Sequence, residues 1–229
     1  QHQGTSSRVR VMRVLELFSG SGSIKTACNQ LGVYCFSIDN NPKARADLYI
    51  DLLAWDPASL HFSPDVVWAS PPCQSWSFAS SRHRTLSSMR AKTPEAVLGE
   101  ALVLRTLEII KQLKPRYWFI ENPRGRLRAY PPMKRFLRRT VFYSAYGYAI
   151  AKPTDIWTNH YRWQPRPRPP PLPSTKRFYG AHRGCREVPT WDSFPRRERM
   201  KLAPQLCLEI IRACMSAIPL SYTSPRRAA

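Results

Sequence analysis

Short apolar runs alternate with segments of helical periodicity over the first half of the chain. The runs are typical of buried strands, because each covers only a few residues and stops at glycine, proline or aspartate. Between them, helices are expected near residues 24–31 and from Thr93 to Pro115, where Thr-Pro-Glu is typical of a helix start and proline of a stop. The pattern predicts five strands, at residues 9–18, 33–38, 46–50, 65–69 and 117–120.

Strands that alternate with helices indicate an α/β fold with a doubly wound, mostly parallel sheet. In such sheets, ligands bind outside the carboxyl ends of the strands. All five predicted strands end in glycine or polar residues, and we therefore expect one ligand-binding edge. These ends are the Ser19–Gly22 turn, Asp39, Asp51, the Ser70–Gln74 loop and Glu121.

The pattern changes after Arg124. Residues 140–150 and 155–158 are predicted to be paired strands, residues 164–173 are proline-rich, and residues 204–217 form a last amphipathic helix. We expect three parts: a core over 1–160, a Pro/Arg-rich segment over 161–200, and residues 201–229, whose helix packs back on the core before a basic tail. In the second part, arginines alternate with Phe178, Tyr179, Trp191 and Phe194, a pattern suited to phosphates and bases or to a loose basic loop.

The net charge of +21 is uneven along the chain. Residues 1–120 carry 14 Lys and Arg against nine acidic residues, whereas residues 121–229 carry 22 against six. A basic excess in one half favours a polyanionic partner, DNA or RNA, over a merely solubilising surface. Protein partners in a nucleoprotein complex are a further expectation.

The six cysteines form no C-x-x-C pair in a chain large enough to fold without disulfides, which favours an intracellular, reducing compartment. His182 and Cys185 form an isolated H-x-x-C, and without a second pair we predict no metal site. No apolar run reaches eighteen residues, so no membrane partner is expected. The chain begins at Gln1, from which we expect that an upstream piece was removed.

Cys73 and Glu121 follow two neighbouring predicted strands and suit chemistry on a cytosine ring. Carbon 5 of cytosine is a poor nucleophile until a thiolate adds to carbon 6. A carboxyl group at nitrogen 3 stabilises the product of that addition. A duplex hides the target atom, so the base must be flipped out. Pro71 and Pro72 are expected to hold the backbone beside the thiol rigid, and the loop over 74–90 to close over the nucleotide.

The segments FSGSG, SPPCQSWS and ENP, in this order, resemble motifs of the DNA cytosine-C5 methyltransferase family. The similarity runs over about residues 14–160 and again, more weakly, near 199–210. The ENPRG and KPTDIWTN stretches are similar to compact, phage-type members. A Cys after Pro-Pro, rather than the aromatic residue of amino-group methyltransferases, favours ring-carbon chemistry.

The resemblance implies an S-adenosylmethionine-dependent, Rossmann-like methyltransferase with Cys73 as nucleophile and Glu121 gripping the base. Phe18, Gly20 and Gly22 would cradle the methionine part of the cofactor, Asp39 would bind the ribose hydroxyls and Asp51 the adenine. The implied reaction is methyl transfer to carbon 5 of cytosine through a covalent Cys73 adduct, with DNA favoured over RNA. Our candidates for substrate binding are Pro72, Gln74, Arg82, Arg84, Asn122 and Arg124.

Two departures from the family pattern support an alternative. The family places a Gln-x-Arg-x-Arg set beyond the glutamate, but residues 143–151 contain neither Gln nor Arg. The segment that replaces a target-recognition domain is also short, so sequence readout is expected to be weak or supplied by a partner. The alternative is an inactive, methyltransferase-like basic protein within a nucleoprotein assembly such as an organellar ribosome. The retained cysteine, glutamate and glycines argue against it.

Overall fold

The computed structural model describes residues 11–78, 81–85, 87–148, 152–170 and 201–217. Several expectations lie outside these residues: the start of the first predicted strand, the H-x-x-C pair, the Arg/aromatic segment over 178–199 and the basic tail. In the described part of the chain, no group of three potential metal-ligating side chains occurs. None of the helices described is both long and apolar enough to cross a membrane.

In the described part of the chain, seven strands form one sheet in the order β3-β2-β1-β4-β5-β7-β6. The first five strands are mutually parallel, whereas β7 is antiparallel to both β5 and β6. This confirms the expected doubly wound α/β fold. The strands are β1 (Arg13–Leu17), β2 (Tyr34–Asp39), β3 (Leu48–Tyr49), β4 (Val66–Ala69), β5 (Tyr117–Pro123), β6 (Arg138–Phe142) and β7 (Pro153–Thr158).

Helices cover both faces of the sheet, and each covers residues that alternate along the strands. On β4, Val66 and Trp68 belong to one hydrophobic cluster and Val67 and Ala69 to the other. The first cluster includes α1 and α4, and the second includes α2. The helices are α1 (Ser23–Gln30), α2 (Pro94–Leu113), the short α3 (Pro131–Lys134) and α4 (Pro204–Ala217).

Local sequence explains the bounds of the longest helix. The Thr93 side chain accepts a hydrogen bond from the Ala96 amide, and Pro94 occupies the first turn, where its missing N–H costs nothing. The helix ends at Leu113, and the capping residue Lys114 adopts a left-handed conformation directly before Pro115. The predicted start and stop are confirmed.

The strand predicted over 140–150 is wrong in its second half. β6 ends at Phe142, and Tyr143–Tyr146 forms a 3-10 turn closed by Gly147 at a φ of 84°. Tyr143 and Tyr146 are both buried, three residues apart, on the same side of this turn. A helical spacing of aromatic residues therefore replaces the strand alternation that we expected.

Candidate active site

The carboxyl ends of β1 to β5 lie along one edge of the sheet, because these five strands are parallel neighbours. The turn after β1, Asp39 after β2, Asp51 after β3, the Cys73 loop after β4 and Glu121 in β5 therefore share that edge. The five strand ends thus lie together as expected, and ligand binding at this edge stays a prediction.

The turn after β1 has an unusual backbone that depends on glycine. Phe18, Gly20 and Gly22 all have positive φ, at 58°, 49° and 68°. For Phe18, which is not glycine, this left-handed conformation is strained. A Cβ on Gly22 would lie 3.2 Å from that of Arg45, so the position is restricted by packing as well.

Asp39 ties this turn to the end of β2. Its two carboxylate oxygens accept hydrogen bonds from the amides of Gly20 and Asn41, both at 2.8 Å, and the side chain is nearly buried. Each oxygen has a second lone pair with which to accept a further hydrogen bond. Asp51 is exposed at the end of β3, where its carboxylate accepts from the Leu53 amide.

This edge fits the nucleoside and amino-acid parts of the implied cofactor. Buried Ser19 in the turn has, among the described residues, no hydrogen-bond partner for its hydroxyl group. Beside it, a Cβ added to Gly20 would meet nothing closer than 3.9 Å, so the main chain is open to a ligand there. Two acidic side chains with accepting capacity follow on the next strands.

Cys73 is partly exposed in the loop between β4 and a 3-10 turn over Gln74–Trp76. Burial of the thiol and the nearby Glu121 carboxylate raise the pKa of Cys73, whereas Lys152 lowers it. Glu121 is 5% exposed. Burial, and to a smaller extent Asp155, raises the pKa of Glu121, while Lys152 and a hydrogen bond from Ser70 oppose the rise. The thiol and the carboxyl group thus interact electrostatically at the same edge of the sheet.

The pKa shift of Glu121 suits the chemistry expected of it, whereas the pKa shift of Cys73 opposes the chemistry expected of the thiol. The raised pKa favours the protonated form of Glu121, in which the carboxyl group can donate a hydrogen bond to a ring nitrogen. The raised pKa of Cys73 acts against formation of the thiolate nucleophile. The positive charge of Lys152 and, to a smaller extent, a backbone hydrogen bond at Cys73 offset part of this effect.

The structure corrects the expectation that Arg84 contacts the substrate. Its side chain is 1% exposed and its guanidinium lies 3.4 Å from the ring centroid of Trp76. It donates hydrogen bonds to the carbonyls of Ser75, Met89 and Ala96, and it forms an ion pair with Glu100. Arg84 therefore binds, from the protein interior, the loop over 70–78 that carries Cys73, which we call the catalytic loop. Nothing in the sequence signals this burial, because Arg82, two residues earlier, is also an arginine and is exposed.

Asn122 also supports the loop. It is 1% exposed, and its amide group donates a hydrogen bond of 2.8 Å to the carbonyl of Pro71, next to the catalytic segment. One N–H of its amide group is thus used within the protein, whereas its buried Oδ1 has no hydrogen-bond partner among the described residues, and its assignment as a substrate contact stays a prediction. The other candidates for substrate binding, Pro72, Gln74, Arg82 and Arg124, are all exposed.

Sequence reasoning missed two further groups that hold the catalytic loop. Arg126 donates hydrogen bonds to the carbonyls of Ser77 and Phe78, at 3.2 and 3.1 Å. Gly125 lies so close to the loop that a Cβ there would be 2.4 Å from the carbonyl oxygen of Trp76. The ENPRG motif ends at Gly125, one residue before Arg126, and the role of both residues depends on contacts with a loop that lies almost 50 positions earlier in the chain.

Lys152 is the third group that the sequence analysis missed. Residues 143–151 contain none of the arginines of the family pattern, and the next residue along the chain is Lys152, a buried cation. It precedes β7, whose first residue accepts a hydrogen bond from the Arg124 amide just beyond the end of β5. The antiparallel pairing of β5 and β7 thus brings Lys152 to the catalytic edge.

Comparison with known proteins agrees with this architecture. The family model described as C-5 cytosine-specific DNA methylase matches residues 12–131. Over 157 residues, which cover 65% of this chain and 71% of the relative, the chain is 36% identical to a probable DNA (cytosine-5)-methyltransferase of Frog virus 3 (isolate Goorha).

Two solved structures are also similar. A mutant DNMT2 of Spodoptera frugiperda matches 68% of this chain and 55% of its own, with 18% identity and a TM-score of 0.47. The Entamoeba histolytica methyltransferase EhMeth matches 65% and 53%, with 15% identity and a TM-score of 0.49. The chain spans little more than half the length of these two proteins.

Proposed function

Because this chain belongs to the C-5 cytosine-specific DNA methylase family, we propose that it transfers a methyl group from S-adenosylmethionine to carbon 5 of cytosine in a nucleic acid. The observation that carries the proposal is the pairing of a partly exposed thiol with a buried carboxyl group of raised pKa, at the edge where the glycine turn and two aspartates also lie.

In the proposed reaction, Cys73 and Glu121 act together on the pyrimidine ring. The thiolate of Cys73 adds to carbon 6, forming a carbon–sulfur bond and moving an electron pair toward carbon 5. Glu121, with its proton retained, donates a hydrogen bond to nitrogen 3 and so stabilises the altered ring. After methylation, loss of the proton from carbon 5 returns an electron pair to the ring and expels the thiolate.

The cofactor would be held by the turn containing Phe18, Gly20 and Gly22, with Asp39 at its ribose and Asp51 at its adenine. When bound, S-adenosylmethionine supplies an electrophilic methyl group on a sulfonium. The exposed candidates Pro72, Gln74, Arg82 and Arg124 are proposed to contact the flipped nucleotide or its phosphates. The core over 1–160 and the basic segment over 161–200 are the proposed units of this function.

DNA is the proposed substrate, with RNA as the second outcome of the test. The relative from Frog virus 3 is named for DNA, and the matching family model is described in the same terms. A reducing, intracellular compartment is proposed as well, since the five described cysteines are free and the nucleophile requires a reduced thiol.

The proposal is tested by trapping. Labelled methyl transfer from S-adenosylmethionine to separate DNA and RNA pools is followed by nucleoside analysis, which identifies the product and the polymer. Pools carrying 5-fluorocytosine should become covalently attached, because fluorine on carbon 5 cannot leave as the proton does. Cys73→Ser should abolish attachment, whereas Cys214→Ala, at a buried cysteine on α4, should retain it.

The outcomes separate the two hypotheses for the protein. Equal attachment by the parent and Cys73→Ser would remove Cys73 from the mechanism. Binding of nucleic acid with no methyl transfer and no attachment to either pool would favour the basic, inactive protein of a nucleoprotein assembly.

A further inference from the structure

We propose that Lys152 is the positioning residue whose charge raises the thiolate fraction of Cys73. This inference concerns the chemistry of the site proposed above and rests on the function of Cys73 stated there. It begins from a conflict in the site: the thiol is shielded from water and lies beside an acid, and both conditions oppose its ionisation.

The loop that carries Cys73 meets the chain after β5 at two places, where Pro71 accepts a hydrogen bond from Asn122 and Trp76 lies against Gly125. Between them, Arg124 donates its amide hydrogen bond to Pro153, the residue next to Lys152.

The surroundings of Lys152 are unusual for a lysine. Its side chain is 4% exposed, although burying an ammonium group is costly unless it is paired. Its Nζ donates a hydrogen bond to the carbonyl of Lys201, at 3.3 Å, and lies 4.6 Å from the ring centroid of Tyr143. A carbonyl oxygen and an aromatic face both favour the charged form of the amine.

The backbone also points to a specific role. Lys152 has a φ of 22°, a left-handed conformation that is strained for any residue except glycine. The strain is maintained by neighbouring contacts, in which Thr154 donates to the Lys152 carbonyl and Pro153 accepts from Arg124. A strained backbone and a buried ammonium group are both costly, which points to a functional role for the charge of Lys152 at the catalytic edge.

The charged and titratable groups around Lys152 come from several elements. Cys73 lies in the catalytic loop, Glu121 in β5 and Tyr143 in the 3-10 turn. Behind them, Asp155 in β7 interacts with Glu121, and Cys207 in α4 interacts with Tyr143. Burial lowers the pKa of Lys152, and Glu121 and Cys73 raise it again. The Lys152 ammonium group thus interacts with two acidic groups, Glu121 and Cys73. It stabilises the ionised form of either group once that group has lost its proton.

The arrangement explains how the chain works without the arginines that the family places beyond the glutamate. A cation is still present at that side of the pocket, but it belongs to the residue before β7. Through its hydrogen bond to Lys201, it also connects the catalytic edge to the segment that leads into α4.

The test is the pH dependence of Cys73 alkylation by iodoacetamide, followed by mass spectrometry of the peptide that carries Cys73. Only the thiolate reacts, so the rate reports its population. Lys152→Met and Lys152→Gln should move the midpoint up by about one pH unit and slow alkylation about tenfold at neutral pH. Lys152→Arg should keep most of the parent rate, because it keeps the charge.

The control is Lys111→Met, which removes an exposed lysine from α2 and should leave the profile unchanged. The proposal is overturned if the Met and Gln variants follow the parent profile, or if Lys152→Arg is shifted as far as they are. Should neither neutral variant fold, the parent itself answers: alkylating Cys73 should lower the pKa of the Lys152 amine, measured by ¹⁵N NMR, and an unchanged value contradicts the proposal.

Alkylation requires neither nucleic acid nor S-adenosylmethionine, so its result is independent of the methyl-transfer test. A shifted profile without methyl transfer would support the electrostatic role of Lys152 and reject the proposed function. Methyl transfer together with an unshifted alkylation profile would support the proposed function and reject the electrostatic role of Lys152.

Discussion

Individual residues from distant parts of the chain determine where the catalytic loop lies. The loop over 70–78 has few regular backbone hydrogen bonds of its own, and Arg84, Asn122 and Arg126 bind its carbonyl oxygens from three directions. Gly125 allows the chain after β5 to approach the loop to a distance that no side chain would permit. The position of the thiol is therefore set by contacts outside the loop.

Gly125→Ala should lower methyl transfer by about 100-fold while the protein remains folded. The added Cβ, at 2.4 Å from a backbone oxygen of the loop, must push Cys73 away from Glu121, and a displacement of the order of an ångström is enough for such a loss. The measurement is single-turnover methyl transfer with thermal unfolding alongside. Gly32→Ala is the matched control, because its Cβ meets nothing within 4 Å and costs only backbone strain. Equal activity of the two variants would show that the loop adjusts freely.

At the scale of elements, the β1–turn–α1 unit depends on a carboxyl group beneath the helix. Glu16, on β1, is 2% exposed and accepts hydrogen bonds from the Ile24 and Lys25 amides in the first turn of α1. These amides have no partner within the helix, so Glu16 acts as its cap. Burial nevertheless dominates and raises the pKa of Glu16 to about 8.

This raised pKa predicts a loss of stability as the pH rises. Between about pH 4.5, where the carboxyl ionises in the unfolded chain, and about pH 8, the folded protein holds a proton that the unfolded chain has lost. The free energy of unfolding should then fall by up to about 1.4 kcal/mol per pH unit relative to Glu16→Gln, which does not titrate. Urea unfolding of both proteins at several pH values measures the difference. A difference that grows in the parent's favour with pH would mean that Glu16 is ionised in the folded state.

At the scale of the whole molecule, the described residues already present many cations on the surface near β6 and α3. Lys134, Arg135 and Arg138 are exposed there, and Arg162 is exposed beyond β7. Asp155 is buried and its charge is balanced by Arg128. Among the described residues, Lys134, Arg135 and Arg162 are therefore available to a polyanion, and Arg138 lies 3.9 Å from Asp155 but is still exposed.

Binding of a nucleic acid should consequently depend steeply on salt. Each phosphate contact releases counterions, so the logarithm of the affinity should fall linearly with the logarithm of the salt concentration, with a slope of about −0.9 per contact on duplex DNA. Replacing Lys134, Arg135 and Arg138 together by Gln should reduce that slope. Titration of a labelled duplex at several salt concentrations measures it. A flat dependence would contradict a phosphate-binding role for this half.

Local sequence patterns predict most elements of the fold. They also identify Cys73 and Glu121 as candidates for the nucleophile and the acid. Apolar runs, the Thr93 cap and the Pro115 stop are local signals, and they placed the strands and α2 within a few residues of their observed bounds. Cys73 and Glu121 were recognisable because each follows a strand within a distinctive motif. Parallel strand order then brings their elements to one edge, which alternation alone implies.

The sequence could not show which polar groups face each other across long loops. Arg82 and Arg84 are both arginines and lie two positions apart, yet Arg84 is buried against Trp76 whereas Arg82 is exposed. Lys152 looks like any lysine before a proline until β7 pairs antiparallel with β5. Local propensity depends on a few neighbours along the chain, whereas burial and charge pairing depend on which strands are adjacent. Most elements and the candidate reactive residues were thus determined by the sequence alone, whereas only the tertiary structure decided which cations support the loop and that Lys152 is buried at the edge that carries the thiol.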